Sequence, residues 1–142
     1  MARPTKQQVF LAIAGILSLR ATCSKLAVGC VLTDGQGRIL STGYNGVPRG
    51  LAHCTEVECP GAKAPKGADL CQAVHAEQNA LLQCRNPEDI VVCYTTHAPC
   101  LRCVKTLLNT SCERIVFRDD FMLEIAARDM WTHAGRAWEH VP

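Results

Sequence analysis

The sequence predicts an α/β protein of three layers, α/β/α, with a mixed central sheet of about five strands in a single domain spanning residues 1–142. Three observations predict it. Segments with apolar residues at helical spacing follow an opening hairpin and then alternate with short β-branched runs; Gly, Pro and Asn punctuate the boundaries; and 142 residues suffice for one substantial core. The order helix, β-hairpin, helix, strand, helix, strand, helix implies helices on both faces of the sheet.

Thr5 can cap a first helix, in which Val9, Ile13, Ile16 and Leu17 recur at helical spacing, and that helix is expected to be mostly buried. The apolar run Val9 to Leu19 has the length of a signal peptide, but Arg20 follows at once and no A-x-A pattern sits behind it. It is also too short to span a bilayer. A cytoplasmic protein without a membrane partner is expected. LAVGCVLT (26–33) reads as a strand, DGQG (34–37) as a turn and RILSTGYN (38–45) as the return strand of a hairpin. Residues 46–71 contain Gly, Pro and Cys without periodicity, and so long a loop in a compact domain is either functional or pinned. A helix over about 75–85 stops at Asn86-Pro87, and IVVCYT (90–95) is a buried strand. A helix over about 100–109, the strand RIVF (114–117) and a last helix over about 121–134, ended by Gly135, complete the chain. Sites in such folds gather at the carboxyl ends of strands and the starts of the following helices, where His75 and Cys100 fall.

A net charge of +2, with Lys and Arg scattered, argues against a polynucleotide partner. Ten cysteines point instead to metal. Cys30, Cys84, Cys93 and Cys112 lie in or beside apolar segments, where cysteine acts as a small hydrophobe. Cys23, Cys54, Cys59, Cys71, Cys100 and Cys103 fall at element ends or in loops, where ligands sit.

HAPCLRC (97–103) places Cys100 and Cys103 three apart, on one face at a helix start, where unpaired N–H groups favour the thiolate. His75, from another helix start, would complete a three-ligand site with its fourth position open to water, the pattern of a catalytic zinc. Glu77 could then reach that water, whose pKa zinc lowers to about neutrality, and move its proton. Taken singly, Glu77 could be a first-turn acid favoured by the helix dipole and His75 a simple cap; the downstream PCxxC is what joins them.

His75-Ala76-Glu77 followed by Pro99-Cys100-Leu101-Arg102-Cys103 resembles the signature of the zinc-dependent cytidine and deoxycytidylate deaminase superfamily. STGYNGVPRG (41–50), HAEQNALL (75–82) and RIVF are similar to its deoxycytidylate (dCMP) deaminase branch, over most of residues 5–120. The resemblance implies a cytidine-deaminase-like fold and zinc-dependent hydrolysis of dCMP to dUMP and ammonia, feeding thymidylate synthesis, with Glu77 as proton carrier. It also implies that Asn45 bonds the sugar 3′-hydroxyl and that backbone groups near Ala76 and Ala98 read the base edge. dCTP activation (with a magnesium ion on the effector), dTTP inhibition and a hexamer built as a trimer of dimers belong to the same resemblance. One departure is Phe121, where several relatives carry a tyrosine near the substrate phosphate; Arg118 is the candidate phosphate partner in its place.

Cys23, Cys54, Cys59 and Cys71 remain, with His53 beside them. A closed structural zinc site would pin the long loop; the alternatives are His53 in place of one cysteine, or four free thiols. Some relatives carry such a second zinc, with ligands matching Cys23 and Cys54. Rival functions are deamination of 5-methyl- or 5-hydroxymethyl-dCMP, dCTP, a free nucleoside, or an adenine or tRNA base, and a zinc-stabilised binding module without catalysis. Nucleoside deaminases usually carry cysteine where this chain has His75, and a binding module has no need of Glu77.

Overall fold

The computed structural model describes residues 2–62, 70–121 and 123–142. Helix α1 (Lys6–Ser18) begins at a reciprocal cap: the Thr5 hydroxyl accepts from the Gln8 N–H at 3.1 Å, and the Gln8 side chain accepts from the Thr5 N–H at 2.9 Å. Strands β1 (Gly29–Thr33) and β2 (Ile39–Tyr44) form the expected hairpin. Asp34 closes its turn by accepting from the N–H groups of Gln36 and Arg38, both at 2.9 Å, while Gly37 takes a positive φ of 80°. Helix α2 (Ala76–Gln83), strand β3 (Val92–His97), helix α3 (Leu101–Leu108), strand β4 (Arg114–Asp119), helix α4 (Ile125–His133) and strand β5 (Ala137–His140) follow.

The sheet order is β2-β1-β3-β4-β5. β1 runs antiparallel to both β2 and β3, while β3, β4 and β5 are parallel, so the sheet is mixed. Alternation along the strands sorts side chains to two cores. Val31, Tyr94 and Val116 meet Phe10, Leu11 and Ala14 of α1. Cys30, Leu32, Cys93, Ile115 and Phe117 meet Ala80, Val104, Leu107 and Trp131 of α2, α3 and α4. Cys30, Cys93 and Cys112 are fully buried, as small hydrophobes should be.

Three expectations change. Helix α1 is not mostly buried: Val9 and Ile16 face outward, Ile16 67% exposed, because α1 alone covers its sheet face and only one stripe of it touches strands. The last helix begins at Ile125, after a turn that includes Phe121, rather than near 121. Beyond Gly135 the chain adds β5, too short for its alternation to stand out in sequence. Its start is fastened by Arg136, whose guanidinium donates to the carbonyls of Cys112 at 2.7 Å and Leu108 at 2.8 Å, capping the end of α3 while it stacks over Trp131. Among the described residues no helix is long and apolar enough to cross a membrane.

Two glycines let helices lie directly on strands. A Cβ at Gly29 would strike the Ala14 carbonyl of α1, and one at Gly43 would strike the Ala76 carbonyl of α2 and stand 2.5 Å from the Ala80 nitrogen. The Gly43 contact sets the height of α2, and hence of its first turn, above the sheet. Gly43→Ala is expected to force α2 outward, costing about 1–3 kcal/mol and several degrees of thermal midpoint by circular dichroism. Zinc content measured on the same sample should fall with it.

Candidate active site and metal centre

Two helix starts converge beyond the carboxyl end of β3. His75 is the N-cap residue of α2, in extended conformation (φ −71°, ψ 154°), and its N–H donates to the Gln78 side chain at 2.9 Å. Cys100 is the N-cap residue of α3 (φ −74°, ψ 168°), directly after buried Pro99. Cys103 lies one turn along α3 and is buried. The His75 Nδ1 stands 3.3 Å from the Cys100 Sγ and 3.4 Å from the Cys103 Sγ. Among the described residues, this is the one cluster in which three His, Cys, Asp or Glu ligand atoms all lie within 4.8 Å of one another.

The donor set fits zinc: an imidazole nitrogen and two sulfurs, whose tetrahedral N–S separation would be about 3.6 Å at ordinary Zn–N and Zn–S lengths. In the metal-free cluster the charges divide. Cys100 is pulled down to about 3, first by the Cys103 thiol that donates to it and then by His75. Its negative charge in turn raises His75, chiefly through their hydrogen bond. Cys103, donating to Cys100 and buried, is pushed far up and keeps its proton. Cys100 is thus the ionised sulfur and Cys103 the neutral thiol, so binding a cation through both sulfurs releases the Cys103 proton.

Glu77 is 4% exposed, in the first turn of α2. Its carboxylate accepts from a backbone N–H of its own residue, and stands 3.4 Å from the Thr95 hydroxyl and 3.5 Å from the Cys103 sulfur, both long contacts. Burial, above all, raises its pKa. A cavity of about 310 Å³ opens beside it, lined by His75, Glu77, Cys100, Asn45, His97 and Glu124 among others. Glu124 closes the α3 side by accepting from the Leu101 N–H at 3.0 Å.

Asn45, Ala76 and Ala98 line the same cavity. The Asn45 amide is held from both sides: its oxygen accepts from the Val28 N–H and its nitrogen donates to the Leu26 carbonyl, each at 2.8 Å. One amide N–H is left over. The Ala98 N–H is spent on the Asp119 carbonyl at 3.0 Å. Arg118 is not in this cavity. Alternation on β4 turns it to the α1 face, beside Gln8, Leu11 and Ala12, where its guanidinium donates to Asp119 at 3.1 and 3.2 Å.

The second cysteine set is looser. Cys54 and Cys59 share a side-chain hydrogen bond, and Cys54, raised by burial first, also feels the charges of Cys59, Cys23 and Cys71. Cys59 is lowered, mainly by the Gly61 N–H. Cys71 packs at Gly61, and Cys23 and Cys71 both reach the cavity wall. No three of these ligand atoms come within 4.8 Å of one another. The His53 ring turns elsewhere, into a separate 630 Å³ cleft, and stands 3.8 Å from Glu56. Residues 63–69 of the loop expected to be pinned lie outside the described residues.

Sequence reasoning missed His97, Glu124 and Thr95. His97 stood in the HAPC motif with no role given to it; Glu124 and Thr95 carried no local signal.

An open cluster of one imidazole and two cysteine sulfurs with a buried carboxylate beside it, on a three-layer α/β/α sheet, defines the zinc-dependent deaminase class. The chain belongs to the cytidine and deoxycytidylate deaminase family: the family's zinc-binding region matches residues 4–119. It is 38% identical to the deoxycytidylate deaminase of Mycobacterium phage D29 over 82% of this chain and 97% of that one. It is 32% identical to ComE operon protein 2 of Bacillus subtilis over 99% of this chain and 74% of that one. It spans less than half the length of the two yeast deoxycytidylate deaminases that it also matches. Among solved structures, dCMP deaminase from the cyanophage S-TIM5, crystallised with dCMP and dUMP, superposes with a TM-score of 0.80 at 25% identity, covering 99% of this chain and all of that one.

In metal-free protein at pH 6, iodoacetamide is expected to alkylate Cys100, ionised and half-buried, well ahead of Cys103, a buried thiol. Peptide mapping by mass spectrometry reads the order, and prior zinc loading should protect both.

Proposed function

We propose that this chain hydrolyses dCMP to dUMP and ammonia in the cytoplasm, supplying dUMP for thymidylate synthesis. The observation that carries the reading is Glu77: a carboxylate 4% exposed, at the open side of a three-ligand cluster. His75, Cys100 and Cys103 would hold the catalytic zinc, which when bound supplies a Lewis acid that activates water for attack on C4 of the ring. Glu77 takes one proton from the attacking water and gives it to N3, then takes the second from the new C4 hydroxyl and gives it to the departing amine. Burial raises its pKa, the direction that suits a group that must both accept and return a proton. C4 gains a C–O bond, loses its C–N bond, and ammonia leaves.

The substrate contacts follow from which groups remain unspent. Asn45, locked by its two backbone bonds, offers its last N–H to the sugar hydroxyl. Ala98 has a carbonyl free to read the base edge, and Ala76 lies at the first turn of α2 facing the same space. Arg118 acts at this subunit's phosphate only if the phosphate reaches the α1 face, which the 310 Å³ cavity does not border.

Cys23, Cys54, Cys59 and Cys71 would hold a second, structural zinc. Its support is their shared neighbourhood around Cys54 and the long unpatterned loop they punctuate. The 630 Å³ cleft between the loop after Asn45 and α2 presents Arg20, Arg49 and His53, a donor set suited to a nucleoside triphosphate. It supports regulation there by dCTP (with magnesium) and dTTP. The outward apolar residues Val9, Ile16 and Leu19 of the α1 region support a homo-oligomer, a hexamer as a trimer of dimers.

The deciding experiment is ammonia release over dCMP, 5-methyl-dCMP, dCTP, cytidine and deoxycytidine, with and without dCTP and dTTP. dCMP should be the best substrate, and Glu77→Gln should cut kcat by about 10²–10⁴-fold with zinc retained; turnover that survives the substitution sinks the proton role. Metal analysis should give two zincs per chain and one in Cys59→Ser, whereas a single zinc in the unaltered protein refutes the structural site.

A further inference from the structure

Glu124 sits on the ridge between two cavities. It lines the 310 Å³ cavity beside Glu77 and a second one of about 390 Å³ that carries Arg102 and Lys105, and His75 and Cys100 line both as well. Its backbone and its side chain serve different helices. The Glu124 carbonyl accepts from the Ala127 and Arg128 N–H groups at 3.1 and 3.2 Å, which makes Glu124 the N-cap residue of α4. Its carboxylate makes no cap bond there and crosses instead to the first residue of α3, accepting from the Leu101 N–H at 3.0 Å.

The choice of residue matches this division. The side chains that cap their own helix best are those of Ser, Thr, Asp and Asn, short enough to turn back onto it. Glutamate is one methylene longer than aspartate and reaches across. Leu123, just before it, packs against the core that α2, α3 and α4 cover, and its N–H donates to the Asp120 carbonyl at 2.8 Å. The backbone that carries Glu124 is therefore fixed on both sides.

What the carboxylate holds is the peptide that leaves Cys100. Cys100 is the N-cap residue of α3, and its sulfur is turned to the His75 Nδ1 at 3.3 Å. The Leu101 N–H, one of the donors that a helix start leaves without an intrahelical partner, falls to another element. The carbonyl of the same peptide, that of Cys100, accepts from the Val104 N–H at 3.0 Å. This peptide unit is thus gripped at both ends, by Glu124 on one edge and by the first turn of α3 on the other. Because a peptide is planar, fixing its two edges fixes the Cys100 Cα, and with it the direction in which the side chain leaves.

We propose that Glu124 is a positioning residue for the metal centre: by holding the Cys100–Leu101 peptide it aims the Cys100 sulfur at the ion. This rests on the catalytic-zinc reading above, and it acts through Cys100, with no contact to the ion required.

The test is zinc affinity by competition with a chromophoric chelator, the cluster's share being the part that Cys103→Ser abolishes. Three variants separate reach, charge and fold. Glu124→Ala and Glu124→Asp should each weaken zinc binding by about 10–100-fold, the range for groups that orient a metal ligand. The shorter Asp side chain is expected to turn back onto α4 and release Leu101. Glu124→Gln, with an acceptor oxygen at the same reach, should stay closer to the unaltered protein than to Glu124→Asp. With cobalt in place of zinc, the sulfur-to-metal absorption band should change in the Ala and Asp variants and hold in Gln. The Leu101 amide should exchange faster in the same two, while helical content by circular dichroism holds in Glu124→Asp. If Asp keeps the affinity and Gln loses it, charge and not the contact is what counts, and the proposal fails. Affinity unchanged in all three variants, or lost only in step with helical content, overturns it as well. So does zinc binding that Cys103→Ser leaves intact, which refutes the cluster too. Absence of dCMP turnover beside the expected order of affinities refutes the deaminase reading and leaves the role of Glu124 standing.

Discussion

The site exists only because two helices begin at one point in space. His75 and Cys100 are 25 residues apart, on helices packed over different strands, yet the His75 Nδ1 lies 3.3 Å from the Cys100 sulfur. Each helix start is fixed by something outside the site. Helix α2 rests on Gly43, where a side chain would collide with the Ala76 carbonyl. The start of α3 is held by the Glu124 carboxylate on the Leu101 N–H, and its far end by Arg136. Ligand convergence of a few tenths of an ångström is thus set by sheet packing and helix caps rather than by the ligands themselves. Structure far from the chemistry, β5 included, takes part in placing the sulfurs.

Electrostatics explains why this point and no other in the chain gathers charge. Both helix N-termini lie against it, and the Cys103 N–H in the first turn of α3 donates to the Cys100 sulfur, which favours its thiolate. Glu77 is buried in the same place with a backbone N–H, two long side-chain contacts and, among the described residues, no cationic side chain hydrogen-bonded to it, and burying an ionised carboxylate costs on the order of several kcal/mol. A fold selected for stability alone would satisfy or replace that group. A divalent cation beside it removes most of the penalty, so the cluster and the carboxylate make physical sense together and not separately.

What the sequence made legible was local. The Thr5 cap, the Asp34 turn, the alternating strands and the paired helix starts all follow from residues within a few positions of one another, and each is where periodicity placed it. His75, Cys100 and Cys103 could be joined from sequence because their chemistry is rare and their spacing restrictive. What stayed hidden depends on neighbours distant in the chain. Val9 and Ile16 looked like core because helical spacing marks an apolar stripe but says nothing of how many layers lie above it. The strand of Ala137–His140 draws its order from β4 and Arg136 more than from its own residues. The cysteines of the long loop could be counted, whereas their mutual distances could not.

Strand alternation also sets which charges surround the cavity. Arg118 and Asp119 leave β4 on opposite faces, yet the Arg118 guanidinium donates to the Asp119 carboxylate, and that carboxylate stands 3.7 Å from the His97 Nε2. The cavity at the end of β3 thus has carboxylates at Glu77, at Glu124 and beside His97, while the cations Arg102 and Lys105 line the adjoining cavity that shares His75, Cys100 and Glu124 with it. Charge of both signs is therefore brought to the two helix starts by residues that lie on different sides of the ligand cluster.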